Sequence, residues 1–110
     1  MLKQSDLSQF YGTEHYYKHW LGCVYTDGVK YMAEKAQAYW LLDVVFSYRR
    51  KEPFQIWELK KTGTTTAIVT MKEDTNEPIL VSQEIPRTDF PLDEIKLYLI
   101  DGVLLLTSEY

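Results

Sequence analysis

Both histidines of the chain, its single cysteine and an aspartate fall within HYYKHWLGCVYTD, at His15, His19, Cys23 and Asp27, each four residues after the last. Imidazole, thiolate and carboxylate are the donors that hold zinc and related ions, and a histidine beside a cysteine can also activate a thiol nucleophile. A repeat of four keeps residues on one face of a helix, and any even spacing keeps them on one side of a strand. Either geometry tolerates the pattern, but continuity opposes it. One element reaching from Glu14 to Asp27 would have to run through Gly22, and Thr26-Asp27-Gly28 reads as the start of a new element. Donors must converge within about 2.0–2.3 Å of a zinc ion. Four-residue steps along a strand spread side chains by roughly 13 Å each. Only on a helix could His15 and His19 reach one ion.

The expectation is therefore no metal, no cofactor and no catalytic residue. Cys23, between Gly22 and Val24, is read as a small buried hydrophobe, and nothing around it matches a known nucleophile turn. His15 and His19 are read as hydrogen-bonded residues of the surface or rim. Asp27 is read as part of a helix N-terminus, accepting backbone N–H bonds. Asp43 stands apart, because LLDVVF sets a carboxylate in the most apolar run of the chain. An unpaired buried carboxylate is costly, so Asp43 must be exposed, paired or protonated, and an arginine or a tyrosine hydroxyl is the expected partner.

Aromatic residues are the other concentration. Tyr11, Tyr16, Tyr17, Trp20, Tyr25 and Tyr31 crowd the first third of the chain, more than a small core can hide. Tyrosine and tryptophan are enriched at interfaces, where they offer a broad contact area with one polar tip. They can equally roof a small core.

The elements that must position these residues read as follows. Leu2 to Phe10 forms a short helical turn. Glu14 to Trp20 is either a helix capped by Thr13 and ended by Gly22 or a strand; its Tyr16, Tyr17 and Trp20 favour the strand. Thr26 caps a helix whose Val29, Met32, Ala33 and Ala36 lie on one face. Ala38 to Tyr48 is apolar nearly all round and predicts a helix buried on most sides. Lys51-Glu52-Pro53 closes the helical half. Phe54–Lys60 and Thr65–Lys72, joined by a turn at Lys61–Thr64, predict a β-hairpin. Ile79–Ile85 is a third strand between turns. Thr88-Asp89-Phe90-Pro91 reads as a helix start, with Leu92, Ile95 and Leu99 as the stripe and Gly102 as the C-terminal cap. Val103–Leu106 predicts a strand covered on both faces. The expected fold is α+β: an N-terminal strand and helices packed on an antiparallel sheet of about four or five strands, with a late helix and a C-terminal strand.

At 110 residues, 45% hydrophobic and 25% charged, the chain is one ordinary globular domain. A net charge of −4 argues against a duplex-binding surface. The one basic cluster, Arg49-Arg50-Lys51 beside Tyr48, reads as the solvated end of a helix. No apolar run has the length of a membrane span or a signal sequence. A lone cysteine makes no internal disulfide, so the expected setting is the cytoplasm.

FYGTEHYYKHWLGCVYTDGVKYMAEKAQAYWLLD and TDFPLDEIKLYLIDGVLLLTSEY resemble a family of small uncharacterised proteins found in bacteria, on plasmids and in phages, grouped as a domain of unknown function. The resemblance covers Phe10 to Tyr110. It implies a complete single-domain protein from a bacterial or mobile-element source, and it brings no activity, cofactor or catalytic residue. The functional expectation is a non-enzymatic interaction module that binds a protein partner or a second copy through Tyr17, His19, Trp20 and Asp27. A phage or plasmid source would suit an inhibitor of a host factor. The alternative is a small enzyme built on His19, Cys23 and Asp27, with Asp43 as a further acid.

Overall fold

The alternation of apolar and polar residues in FQIWELKK and AIVTMK builds the centre of the molecule, because it gives each strand one buried face. The structure is a computed structural model that describes residues 2–48 and 51–110. In chain order, α1 (Gln4–Leu7) precedes β1 (Tyr16–Lys18) and β2 (Val24–Thr26). Then come α2 (Asp27–Ala36), α3 (Tyr39–Ser47), β3 (Phe54–Lys61), β4 (Ala67–Lys72), β5 (Val81–Ile85), β6 (Glu94–Ile100) and β7 (Val103–Leu106), with a 3-10 turn at Thr107–Glu109. The strands form one sheet of seven in the order β1-β2-β7-β6-β3-β4-β5. All neighbours are antiparallel except β2 and β7, which run parallel.

Both long helices pack on the same face. Val29, Met32 and Ala33 of α2 and Leu41, Leu42 and Val45 of α3 share one core with Trp57, Leu59, Val69, Met71, Leu97 and Leu104 of the sheet. The Thr26 side chain caps α2 by accepting from Val29 N–H, as the sequence leads one to expect. Of Glu14 to Trp20 only Tyr16–Lys18 form a strand, β1, and the β3–β4 hairpin forms where its alternation places it. The third run begins later than expected: Ile79 and Leu80 precede β5 and are exposed.

The late helix is a correction. Leu92, Ile95 and Leu99 fit a helical stripe, but Ile95, Leu97 and Leu99 fit an alternating strand equally well, and those three are buried. Tertiary pairing decides between the two periods. Seven residue pairs join β6 to β3, from Phe54↔Ile100 to Lys60↔Glu94, and four join it to β7. Asp101 and Gly102 both have positive φ, at 50° and 83°. Two successive left-handed residues make the tight I′ hairpin turn that Asp-Gly favours, not a helix cap. Thr88 accepts from Phe90 N–H two residues on and closes a local turn instead of starting a helix. With β2 and β6 added, the sheet has seven strands where four or five were expected, and it is mixed where it was expected to be antiparallel.

β7 also departs from expectation. Leu104 and Leu106 are buried under the helices, whereas Val103 and Leu105, on the opposite face, are only half-buried. That face carries the ring cluster Phe54, Tyr98 and Tyr110, with centroids 5.3 Å apart from Tyr98 to each of the other two.

Candidate interaction site

The β1–β2 hairpin answers the four-residue repeat. Its register pairs Tyr16 with Thr26 and Lys18 with Val24. Carried one step outward at each end, it sets His15 opposite Asp27 and His19 opposite Cys23. The repeat thus folds into two cross-strand pairs, separated by about 13 Å of strand. At one end His15 Nδ1 lies 3.7 Å from Asp27 Oδ1. At the other, the His19 N–H donates to the Cys23 carbonyl at 2.7 Å. Among the described residues no three His, Cys, Asp or Glu side chains are placed to hold a metal ion.

Asp27, the first residue of α2, works as a tie. Its Oδ2 accepts from the backbone N–H of Glu14 at 3.0 Å and of His15 at 3.2 Å. Its Oδ1 accepts from the Tyr17 hydroxyl at 2.9 Å. Desolvation alone would raise the carboxyl's pKa, but the Glu14 N–H, the Tyr17 hydroxyl and the His15 N–H favour the anion and hold it below the ordinary value. The same bond to Asp27, together with desolvation, raises the Tyr17 phenol above its own. Tyr17 is half-buried, stacked on Tyr25 at 5.7 Å and covered by Lys30 Nζ at 5.0 Å from its ring centre. These bonds fasten the hairpin to α2 and leave Tyr17 little free surface.

His19, expected at the surface or rim, is instead buried, at 6% exposure. The tight turn that follows β1 is the reason. Gly22, at φ 104°, bends the chain so that its N–H donates to the His19 carbonyl. The Leu21 N–H then donates to His19 Nδ1 at 3.0 Å. With Nδ1 accepting, the proton belongs on Nε2, which donates to Asp43 Oδ1 at 2.7 Å. Phe46 meets the imidazole edge-on at 4.7 Å. Asp43 thus finds its partner in a histidine from the N-terminal hairpin, not in an arginine or a tyrosine. Both ring nitrogens are engaged in hydrogen bonds, with Asp43 and with the Leu21 N–H, and neither with the Cys23 thiol.

Trp20 completes the arrangement. Its ring stacks on His19 at 5.6 Å and 29°, and its Nε1–H donates to Asp43 Oδ1 at 3.3 Å. Yet 79% of the residue stays exposed. A large apolar ring is therefore held outside the core in one orientation by a buried histidine and a helix carboxylate. Among the described residues the second Asp43 oxygen accepts no hydrogen bond, and the side chain is half open to solvent.

A family model matches residues 1–110. The chain belongs to DUF6876, a family of unknown function. No curated protein and no solved structure matches it. Membership of DUF6876 therefore assigns no role to any residue, and the geometry alone carries the functional argument.

Of the residues singled out for binding, the fold brings His19 and Trp20 together with Asp43, and it sets Tyr17 and Asp27 together at the other end of the hairpin. The two groups do not form one site. Of the expected basic cluster, Arg49 and Arg50 lie outside the described residues, and Lys51 is exposed. A concavity of about 590 Å³ lies where β6 begins and β7 ends, lined by Gln4, Ser8, Glu58, Lys60 and Lys96 among others. None of the residues singled out reaches it. No helix among the described residues is long and apolar enough to cross a membrane.

Proposed function

We propose that this protein is a non-enzymatic protein-interaction module that presents Trp20 as a fixed anchor. The observation that supports this is the indole itself: four-fifths exposed, yet stacked on His19 and hydrogen-bonded to Asp43. Contact hot spots are enriched in tryptophan, and a ring already held in its bound orientation loses little entropy on docking. The open oxygen of Asp43 beside the ring suits an arginine or lysine of the partner. The complementary surface would therefore hold an apolar slot rimmed by a cation. The enzyme reading loses support because neither His19 nitrogen engages the Cys23 thiol. Cys23, an unpaired half-buried thiol, fits a cytoplasmic setting, and if a phage or plasmid carries the chain, the natural partner is a host protein that it inhibits.

The test is affinity capture from the native host, followed by titration of the purified partner against wild type and Trp20→Ala. Loss of an interface hot spot costs about 2 kcal/mol or more, so binding should weaken at least about thirtyfold. Melting should be nearly unchanged, because the ring is exposed. Undiminished binding by Trp20→Ala, or a variant that unfolds, would refute the anchor.

A further inference from the structure

The two edges of the sheet are not alike. β1 spans three residues, carries the exposed Lys18 and is tied down through its flanking residues by Asp27. Short length and an edge lysine are devices that stop one sheet from pairing with another. β5 has neither. Its five residues keep unbroken register with β4, from Ala67↔Ile85 to Met71↔Val81. They include no proline, lysine or bulge, and the inward-facing Val81, Gln83 and Ile85 carry no charge. Among the described residues no backbone hydrogen bond reaches β5 on the side away from β4. Next to it stand Ile79, 58% exposed, and Leu80, 37% exposed.

We propose that β5 is a self-recognition edge: two copies of this chain pair it antiparallel about a two-fold axis through Gln83, joining their sheets into one. The occupant follows from the residues of the strand. Residues opposed across an antiparallel pair must share a face, so β5 can meet itself only with the axis on a residue, at Ser82, Gln83 or Glu84. An axis at Glu84 sets two carboxylates directly opposite each other, which is unfavourable. An axis at Ser82 sets Val81 against the amide of Gln83. The Gln83 axis opposes Val81 to Ile85 of the second copy, extending the apolar face beneath the helices. It also sets each Ser82 hydroxyl, a donor, opposite the Glu84 carboxylate of the other copy. Gln83 itself is held by the Tyr48 hydroxyl, which donates to its Oε1 at 2.7 Å, so its amide N–H groups are left to donate across the axis. The prolines at 78 and 86 flank the strand and leave its five residues free to pair.

Ser82 and Glu84 are both exposed and point away from the helices, so charge can be changed there without disturbing the core. Sedimentation equilibrium of the full chain up to about 100 μM should reveal a dimer with Kd in the micromolar range. Ser82→Glu faces a carboxylate with a carboxylate twice and should raise Kd about two- to thirtyfold. Adding Glu84→Lys to that variant should restore wild-type affinity or better, and Ser82→Lys alone should tighten the dimer. Recovery by the charge swap is specific to this register, since Ser82 and Glu84 oppose each other only about the Gln83 axis. A wild type that stays monomeric at that concentration would overturn the proposal. So would a dimer indifferent to Ser82→Glu, a loss that Glu84→Lys does not reverse, or a dimer that Trp20→Ala dissolves and Ser82→Glu spares. The last result would instead assign self-association to the tryptophan, so this edge and the anchor fail separately.

Discussion

Glu109 joins the C-terminal turn to the start of α2, and Gly28 is the position that exposes this joint to measurement. The carboxylate accepts from Thr26 Oγ1 at 2.6 Å, from Leu106 N–H at 2.9 Å and from Gly28 N–H at 3.3 Å. Thr26 in turn caps α2 through Val29 N–H. Removing the carboxylate in Glu109→Ala leaves three partly buried donors without it, at a cost of about 2 kcal/mol given charge-assisted bonds and partial rescue by water. A β-carbon added at Gly28 would lie 2.6 Å from Glu109 Oε1, 2.8 Å from Glu109 Cδ and 2.6 Å from Leu106 Cδ1. Gly28→Ala must therefore displace the same carboxylate, losing its roughly 2 kcal/mol, and shift Leu106 for about 1 kcal/mol more. The better helix propensity of alanine returns about 1 kcal/mol. Each single variant should thus be about 2 kcal/mol less stable, a fall in Tm of roughly 8 °C for a chain of this size. In the double variant the carboxylate is lost only once, and the total should again be near 2 kcal/mol instead of 4. Urea melts of the four proteins give the coupling directly. Additive losses would refute the reasoning, because they would mean that Gly28 and Glu109 stabilise the fold independently.

Two further outcomes follow from the hairpin and the sheet. The folded Asp27 carboxyl titrates below its unfolded value, so the stability it contributes is present above the ordinary 3.8 and is lost as pH falls through the lower folded value; Asp27→Asn should flatten this acid limb in pH-dependent melts, and an unchanged limb would show that other carboxyls cause it. Leu104, with no exposed surface at the centre of β7, should cost about 2–5 kcal/mol as Leu104→Ala, whereas the half-buried Leu105 should cost clearly less as Leu105→Ala, and thermal melts giving equal losses would mean that the second face of the sheet is as well covered as the first.

Local chemistry made much of this fold legible in the sequence. The Thr26 cap and the stripe Val29, Met32, Ala33 and Ala36 specify α2, because both signals act within a few residues of chain. The alternation of Phe54–Lys61 and Ala67–Lys72 specifies a hairpin for the same reason. Glu94–Ile100 was not legible. Its apolar residues satisfy two periods at once, and only neighbours on both sides, β3 and β7, convert the ambiguity into a strand. The Asp101-Gly102 turn was the local signal that could have decided it. For the candidate site, the sequence showed which residues had chemistry but not which would meet. Register turned an evenly spaced His, His, Cys, Asp set into two separate pairs. Asp43, expected to be exposed, protonated or paired with an arginine or a tyrosine, is half exposed and pairs instead with His19, 24 residues earlier in the chain. No local pattern encodes that meeting: it requires the β1–β2 turn and α3 to be set side by side by the core that both border. The exposure of Trp20 is decided by the same packing, since the indole stacks on His19, whose own ring packs against Phe46, and is left outside.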